Sequence, residues 1–236
     1  MVIRGKEIKN LIVGGCSYSS YTELDLNYGT YLSDMFGFKN IDGYNAGCGS
    51  NHRIWRKIVT DLRNRKITPS DLLVIQYTTN ERREFWSRHH NDTNFNVGHP
   101  IKGTPMREDY EHGQLIKFKF NMVGDGMPKE EKELFQLWEE NFICGEYESE
   151  IFDNTHFMLV KTLDSLGINT IFLGTQYQHD MDLWGSKFCS YISIREDIDG
   201  DLDYCLNGDD CYHLSEKGHY RVAQILGEHI KEICLQ

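Results

Sequence analysis

The sequence has no apolar run approaching the ~18 residues of a membrane span, and its first residues, Met1 to Asn10, lack the apolar stretch of a secretory signal. Together these absences predict a soluble, cytoplasmic protein. Basic residues are in short supply: 25 Lys plus Arg stand against 36 Asp plus Glu, a formal net charge of -11. Such a balance repels phosphate backbones and anionic bilayers, so neither nucleic acid nor a membrane is expected as a partner. No C-x-x-C or H-x-x-x-H pair occurs, which argues against a zinc centre. The cysteines number seven at irregular spacing, which is no disulfide framework, and reduced thiols are expected. Cys205 and Cys211 are near enough in sequence to be bridged if their geometry allows. There is no internal repeat and no low-complexity tract.

What is present suits a globular α/β protein. At roughly 150 residues per domain, a chain of 236 residues, 39% hydrophobic and 12% aromatic, has enough for one sizeable core. Ile8–Val13 is a short branched apolar run stopped by Gly14-Gly15, the pattern of a buried strand. Leu72–Ile75, after Pro69, and Thr170–Leu173 repeat it, and a further strand is expected at Asn40–Asn45. Helical spacing appears around Leu26–Met35, ended by Gly37. It returns over Asn51–Arg65 through Ile54, Ile58, Val59 and Leu62, and again over Phe152–Leu166. A last helix spans Ser215–Cys234 through Tyr220, Val222, Ala223, Ile225, Leu226 and Ile230. Strands alternating with helices predict a parallel sheet covered on both faces, with reactive groups on the loops leaving the strands' carboxyl ends. Residues of about 82–150 break the alternation, and an amphipathic segment lies at Glu130–Phe142. The stretch reads as an insertion in a single domain over 1–236.

Four loops carry residues suited to chemistry. Gly14-Gly15-Cys16-Ser17-Tyr18-Ser19 closes the first strand, where glycines allow a sharp bend that exposes a hydroxyl and aims backbone N–H groups at what it attacks. Asp210-Cys211-Tyr212-His213 precedes the last helix. A carboxylate there can hold one ring nitrogen of the histidine while the other faces a hydroxyl. Asn45-Ala46-Gly47-Cys48-Gly49-Ser50-Asn51 and Thr78-Thr79-Asn80-Glu81 offer donors for an oxyanion. Taken singly, each is what an ordinary turn or helix cap would also contain.

Taken in order, the four blocks resemble the SGNH (GDSL-type) hydrolases. Gly15-Cys16-Ser17 stands for the first block, Gly49 for the glycine of the second, Thr78-Thr79-Asn80-Glu81 for the third and Asp210-Cys211-Tyr212-His213 for the last. The similarity covers roughly 8–81 and 168–233. It implies a flavodoxin-like three-layer α/β/α sandwich and a serine esterase needing no metal or organic cofactor. In that reading Ser17 is the nucleophile, His213 the base and Asp210 its orienter. Ser17, Gly49 and Asn80 supply the oxyanion hole. The substrate class implied is a small-molecule or carbohydrate ester, with an O-acetyl group favoured by the polar, aromatic insertion. Two positions depart from the family pattern: Cys16 replaces an acidic residue, and Thr78 replaces a glycine. These departures keep open a non-catalytic SGNH-like module that binds a glycan or serves in an assembly, and an acyltransferase would use the same triad.

Rival candidates are weaker. Gly47 competes with Gly49, Asp209 sits one residue too far from His213, and Cys16 lacks the serine's place in the turn. His179-Asp180, after the fourth strand, reads as a pocket wall. His89, His90, His99 and His112 lack the spacing of a metal set. Trp86, Phe95, Tyr110 and Trp138 suit either a sugar or acyl groove or the anchoring of the insertion. The run Asn80–Trp86 reads as a solvated helix start laced with ion pairs, with an anion-binding arginine pair as the alternative. It is also similar to SGNH-like proteins of tailed phages and bacteria, which adds association with a virion as an expectation.

Overall fold

Three runs of apolar residues form the centre of the molecule because both of their faces are covered. In the computed structural model, which describes residues 1–15, 19, 26–41, 51–78, 83–87, 114–118, 133, 145–174, 181–194 and 213–235, these runs are β3 (Asn10–Gly14), β5 (Asp71–Gln76) and β8 (Asn169–Gly174). With edge strands β4 (Lys39–Ile41) and β9 (Cys189–Ser193) they build a five-stranded sheet in the order β4-β3-β5-β8-β9. Every pairing in it is parallel. Counted along the chain, that is the 2-1-3-4-5 order of a flavodoxin-like doubly wound fold, as the sequence implies.

Side chains alternate between the two faces with a period of two. Leu11, Val13, Leu72, Val74, Ile171 and Leu173 pack beneath α1 (Tyr28–Phe36) and α4 (Glu216–Cys234). Ile12, Leu73, Ile75 and Phe172 pack beneath α2 (Asn51–Arg63) and α3 (Gly145–Leu166). α1 ends at Gly37, whose φ of 70° is left-handed and favours glycine. α4 begins at Ser215, whose side chain accepts from Gly218 N at 3.1 Å. No helix among the described residues is long and apolar enough to cross a membrane.

Several expectations need correction. Val59, assigned to the apolar face of α2, is 54% exposed, and Tyr220 on α4 is 44% exposed, with its ring edge-on to Tyr31. The helix expected from Phe152 begins at Gly145, inside the stretch read as insertion. The same stretch also contains an antiparallel hairpin, β6 (Arg83–Ser87) with β7 (Gln114–Phe118), in register Trp86↔Leu115. Arg83 to Trp86 are therefore strand and not a helix start, and the two aromatics, Phe85 and Trp86, are residues that strands favour. A two-residue hairpin, β1 (Val2–Ile3) with β2 (Lys6–Glu7), precedes the sheet and turns at Arg4 and Gly5, both with positive φ. The segment Glu130–Phe142, apart from Glu133, and most of the expected strand Asn40–Asn45 beyond Ile41 lie outside the described residues.

Candidate functional site

In a 2-1-3-4-5 sheet the chain leaves β3 towards one edge and β5 towards the other, and a crevice opens between those two exits. Here Gly14 pairs with Ile75, so Gly15 and Gln76 leave the sheet as neighbours. A side chain at Gly15 would displace its neighbours: a Cβ would overlap the Ser19 hydroxyl and come within 2.9 Å of Gln76 Oε1. Close approach is thus the reason for this glycine.

Ser19 is fully buried and bridges to the end of β5. Its hydroxyl donates to Gln76 Oε1 and accepts from the Tyr28 hydroxyl at 2.9 Å. The Gln76 amide in turn donates to Tyr77 O at 2.8 Å. With its proton committed to an amide oxygen, Ser19 ties the β3 exit to β5 and is unsuited to be a nucleophile. Tyr28, the first residue of α1, gives its backbone N–H to His219 Nδ1 on α4 at 3.3 Å. That amide belongs to the group at a helix start with no partner inside the helix. The next two, Gly29 N and Thr30 N, donate to Asn27 Oδ1.

A second set of contacts joins α2 to the exit of β5. Asn51 donates from Nδ2 to Thr78 O at 2.9 Å and accepts from Thr78 N at 2.8 Å on Oδ1. Both residues are buried, Thr78 wholly so. The peptide groups of Thr78 lie just past the end of β5, where the sheet ladder has stopped, and Asn51 supplies the pairing a neighbouring strand would have given.

A third set lies deeper, under α2 and α3. Trp55 Nε1 donates to the Tyr77 hydroxyl at 3.1 Å; that hydroxyl lies 3.1 Å from His156 Nδ1, and His156 Nε2 lies 3.2 Å from Asp182 O. Phe172 meets the His156 ring edge-on at 4.8 Å, and Phe152 stacks on it at 6.0 Å. Burial pushes the Tyr77 hydroxyl's pKa well above the ordinary 10, and burial lowers His156 to about 4.

Of the residues that the sequence nominates, His213 is described: it is half-buried in a bend beside buried Leu214, ahead of the Ser215 cap. The first turn of α4 touches the first turn of α1 through His219–Tyr28 and through Tyr31 Oη, which donates to Glu216 Oε1 at 3.0 Å. Since α1 starts beyond the β3 exit, His213 lies at the carboxyl end of the sheet. Ser17, Gly49, Asn80 and Asp210 lie outside the described residues, as do the rivals Cys16, Gly47, His179, Asp180 and Asp209. So do His89, His90, His99, His112, Phe95, Tyr110, Trp138, Cys205 and Cys211. Cys189 and Cys234 are free thiols. Among the described residues no three His, Cys, Asp or Glu side chains cluster as a metal site.

Sequence reasoning passed over Ser19, Tyr28, Gln76, His156 and His219. A signal was available: Gln76 ends an apolar strand run, and His156 and His219 fall on the apolar stripes of their helices. A polar residue in such a place must be hydrogen-bonded.

No known protein family's profile matches this chain, and no curated protein matches it either. Solved structures do. A lipase from a goat rumen metagenome superposes with a TM-score of 0.50 at 8% identity, over 93% of this chain and 96% of that one. An alpha/beta hydrolase enzyme from the metagenome of Lake Arreo, Spain, gives 0.51 at 11% identity, over 98% of this chain and 97% of its own. At such identities the likeness is one of fold, and it runs nearly the full length of both partners.

Proposed function

We propose that the protein is a serine ester hydrolase of the SGNH type. The observation that carries this reading is the adjacency of the β3 and β5 exits at the switch point of the sheet. Gly15 and Thr78, the described residues that open the first and third blocks, follow these neighbouring strand ends, and His213 precedes the helix at the same end of the sheet. Full-length similarity in fold to a lipase and to an alpha/beta hydrolase enzyme supports the reading.

In this mechanism Ser17 Oγ attacks the ester carbonyl while His213 takes its proton, and Asp210 orients the imidazole and stabilises its charge. The tetrahedral oxyanion accepts from the backbone N–H groups of Ser17 and Gly49 and from the Asn80 amide. His213 then protonates the departing alcohol. A water, deprotonated by the same histidine, cleaves the acyl-enzyme and releases the acid. The substrate is a short-chain ester, with the O-acetyl group of a carbohydrate favoured by the polar and aromatic make-up of the insertion.

The test is hydrolysis of p-nitrophenyl acetate beside longer acyl chains, with wild type and Ser17→Ala in parallel. Turnover of the acetate that disappears in the variant supports the reading. Turnover that survives in Ser17→Ala overturns the nucleophile. A preference for long chains overturns the acetyl assignment.

A further inference from the structure

We infer that Asn51 is the positioning residue of the oxyanion hole, locking the second and third sequence blocks in register through the Thr78 peptide. The inference rests on the esterase reading. Asn51, the first residue of α2, directs Oδ1 and Nδ2 to the backbone N–H and C=O of Thr78, at 2.8 and 2.9 Å. The pair is buried, so these bonds have no competing solvent.

Its place in the chain gives the clamp a purpose. Asn51 is two residues beyond Gly49, and Thr78 is two residues before Asn80. Gly49 N and Asn80 Nδ2 are the donors that the esterase reading assigns to the oxyanion, and the strands that precede them in the chain, β4 and β5, are not paired with each other. The Asn51–Thr78 clamp, about 7 Å of chain from each donor at most, is the described contact nearest in sequence to both. An oxyanion hole works only when its donors already stand where charge will develop, and a misplacement of about 1 Å costs about 10²-fold in rate. Asn51 touches no reacting atom in this account; it acts through Thr78.

The test compares wild type, Asn51→Ala and Asn51→Asp, each below its melting temperature, in p-nitrophenyl acetate turnover and in the rate at which a fluorophosphonate labels Ser17. Asn51→Ala should lower kcat about 10²-fold with KM within about threefold. Labelling should slow in step, because phosphonylation uses the same donors. Asn51→Asp keeps the size and the bond from Thr78 N, yet sets a carboxylate oxygen against Thr78 O, so kcat falls here too. It also decides the matter if the alanine variant does not fold. Wild-type kcat in the aspartate variant, or a rise in KM alone, overturns the inference and leaves the esterase standing. A wild-type protein that neither turns over nor is labelled overturns both.

Discussion

The Tyr77 hydroxyl and His156 Nδ1 stand 3.1 Å apart inside the core, and the groups beyond them settle which one donates. Asp182 O, 3.2 Å from Nε2, only accepts, so Nε2 carries the ring proton and Nδ1 receives the hydroxyl of Tyr77. Trp55 Nε1 fills the phenol oxygen from the other side. Every donor in this chain of four groups has an acceptor as long as the imidazole is neutral.

That arrangement predicts an acid-sensitive core. Burial lowers His156 from 6.5 to about 4 in the folded protein. The unfolded state therefore binds more protons between those values, and the stability from this residue is complete above pH ~6.5 and lost as pH falls to ~4. A shift of that size corresponds to about 3 kcal/mol. His156→Phe removes the titration and leaves Tyr77 without its acceptor, which costs about 1–3 kcal/mol near neutrality. Urea unfolding of both proteins from pH 7 to pH 4 should show the gap between them closing on acidification. A gap independent of pH means that His156 does not titrate as described.

Gly15→Ala should be disruptive beyond the size of one methyl group. The new Cβ would press Ser19 and Gln76 apart, and overpacking of this kind costs about 1–3 kcal/mol. Ser19→Gly alone removes the bond from Tyr28 Oη and the bond to Gln76 Oε1. In the double variant the added methyl occupies the space the hydroxyl left, so the two losses should not add. Denaturant melts of the four proteins form the cycle. Strict additivity would show that Ser19 and Gly15 do not share this space.

The central strands were legible in the sequence because burial on both faces turns them into unbroken apolar runs, as at Leu72-Leu73-Val74-Ile75. β9 was not: at the edge of the sheet, Cys189-Ser190-Tyr191-Ile192-Ser193 needs apolar residues over only part of its surface, and three hydroxyls disguise it. The hairpin of β6 and β7 pairs segments nearly thirty residues apart, beyond any local turn signal. At the site, Gly15 was legible because a glycine before a serine is itself a pattern. The polar groups supporting it were not, since each finds its partner far along the chain, as His219 does with Tyr28. Such a residue looks in sequence like a flaw in an apolar stripe.

The loop entering β9 hangs on one carboxylate. Asp164 Oδ1, at the end of α3, accepts from Ser186 Oγ at 2.5 Å, Lys187 N at 2.7 Å and Phe188 N at 2.9 Å. Burial alone would raise its pKa, but these three donors and the charge of Lys161 outweigh it and hold it below the ordinary 3.8. Its contribution is therefore present above the unfolded carboxylate range and is lost only as pH falls through the lowered folded value. Asp164→Ala should cost about 2 kcal/mol at neutral pH. Asp164→Asn keeps an acceptor of the same shape and should cost less than half as much. Equal losses in the two variants would assign the effect to charge and not to these hydrogen bonds.

The final prediction concerns Ser17 and His213 as a unit. If His213 deprotonates Ser17, either alanine variant alone should remove most ester turnover while leaving unfolding curves close to wild type, since His213 is only half-buried. Their combination should cost little more than one of them, because the second residue has nothing left to act on once the first is gone. Wild-type kcat/KM should rise with pH through the titration of a histidine near ~6.5, since the neutral imidazole is the base. Chelators should leave it unchanged. Two losses that multiply as independent effects would show that Ser17 and His213 do not share one proton, and a fall on chelation would return attention to the histidines of the insertion.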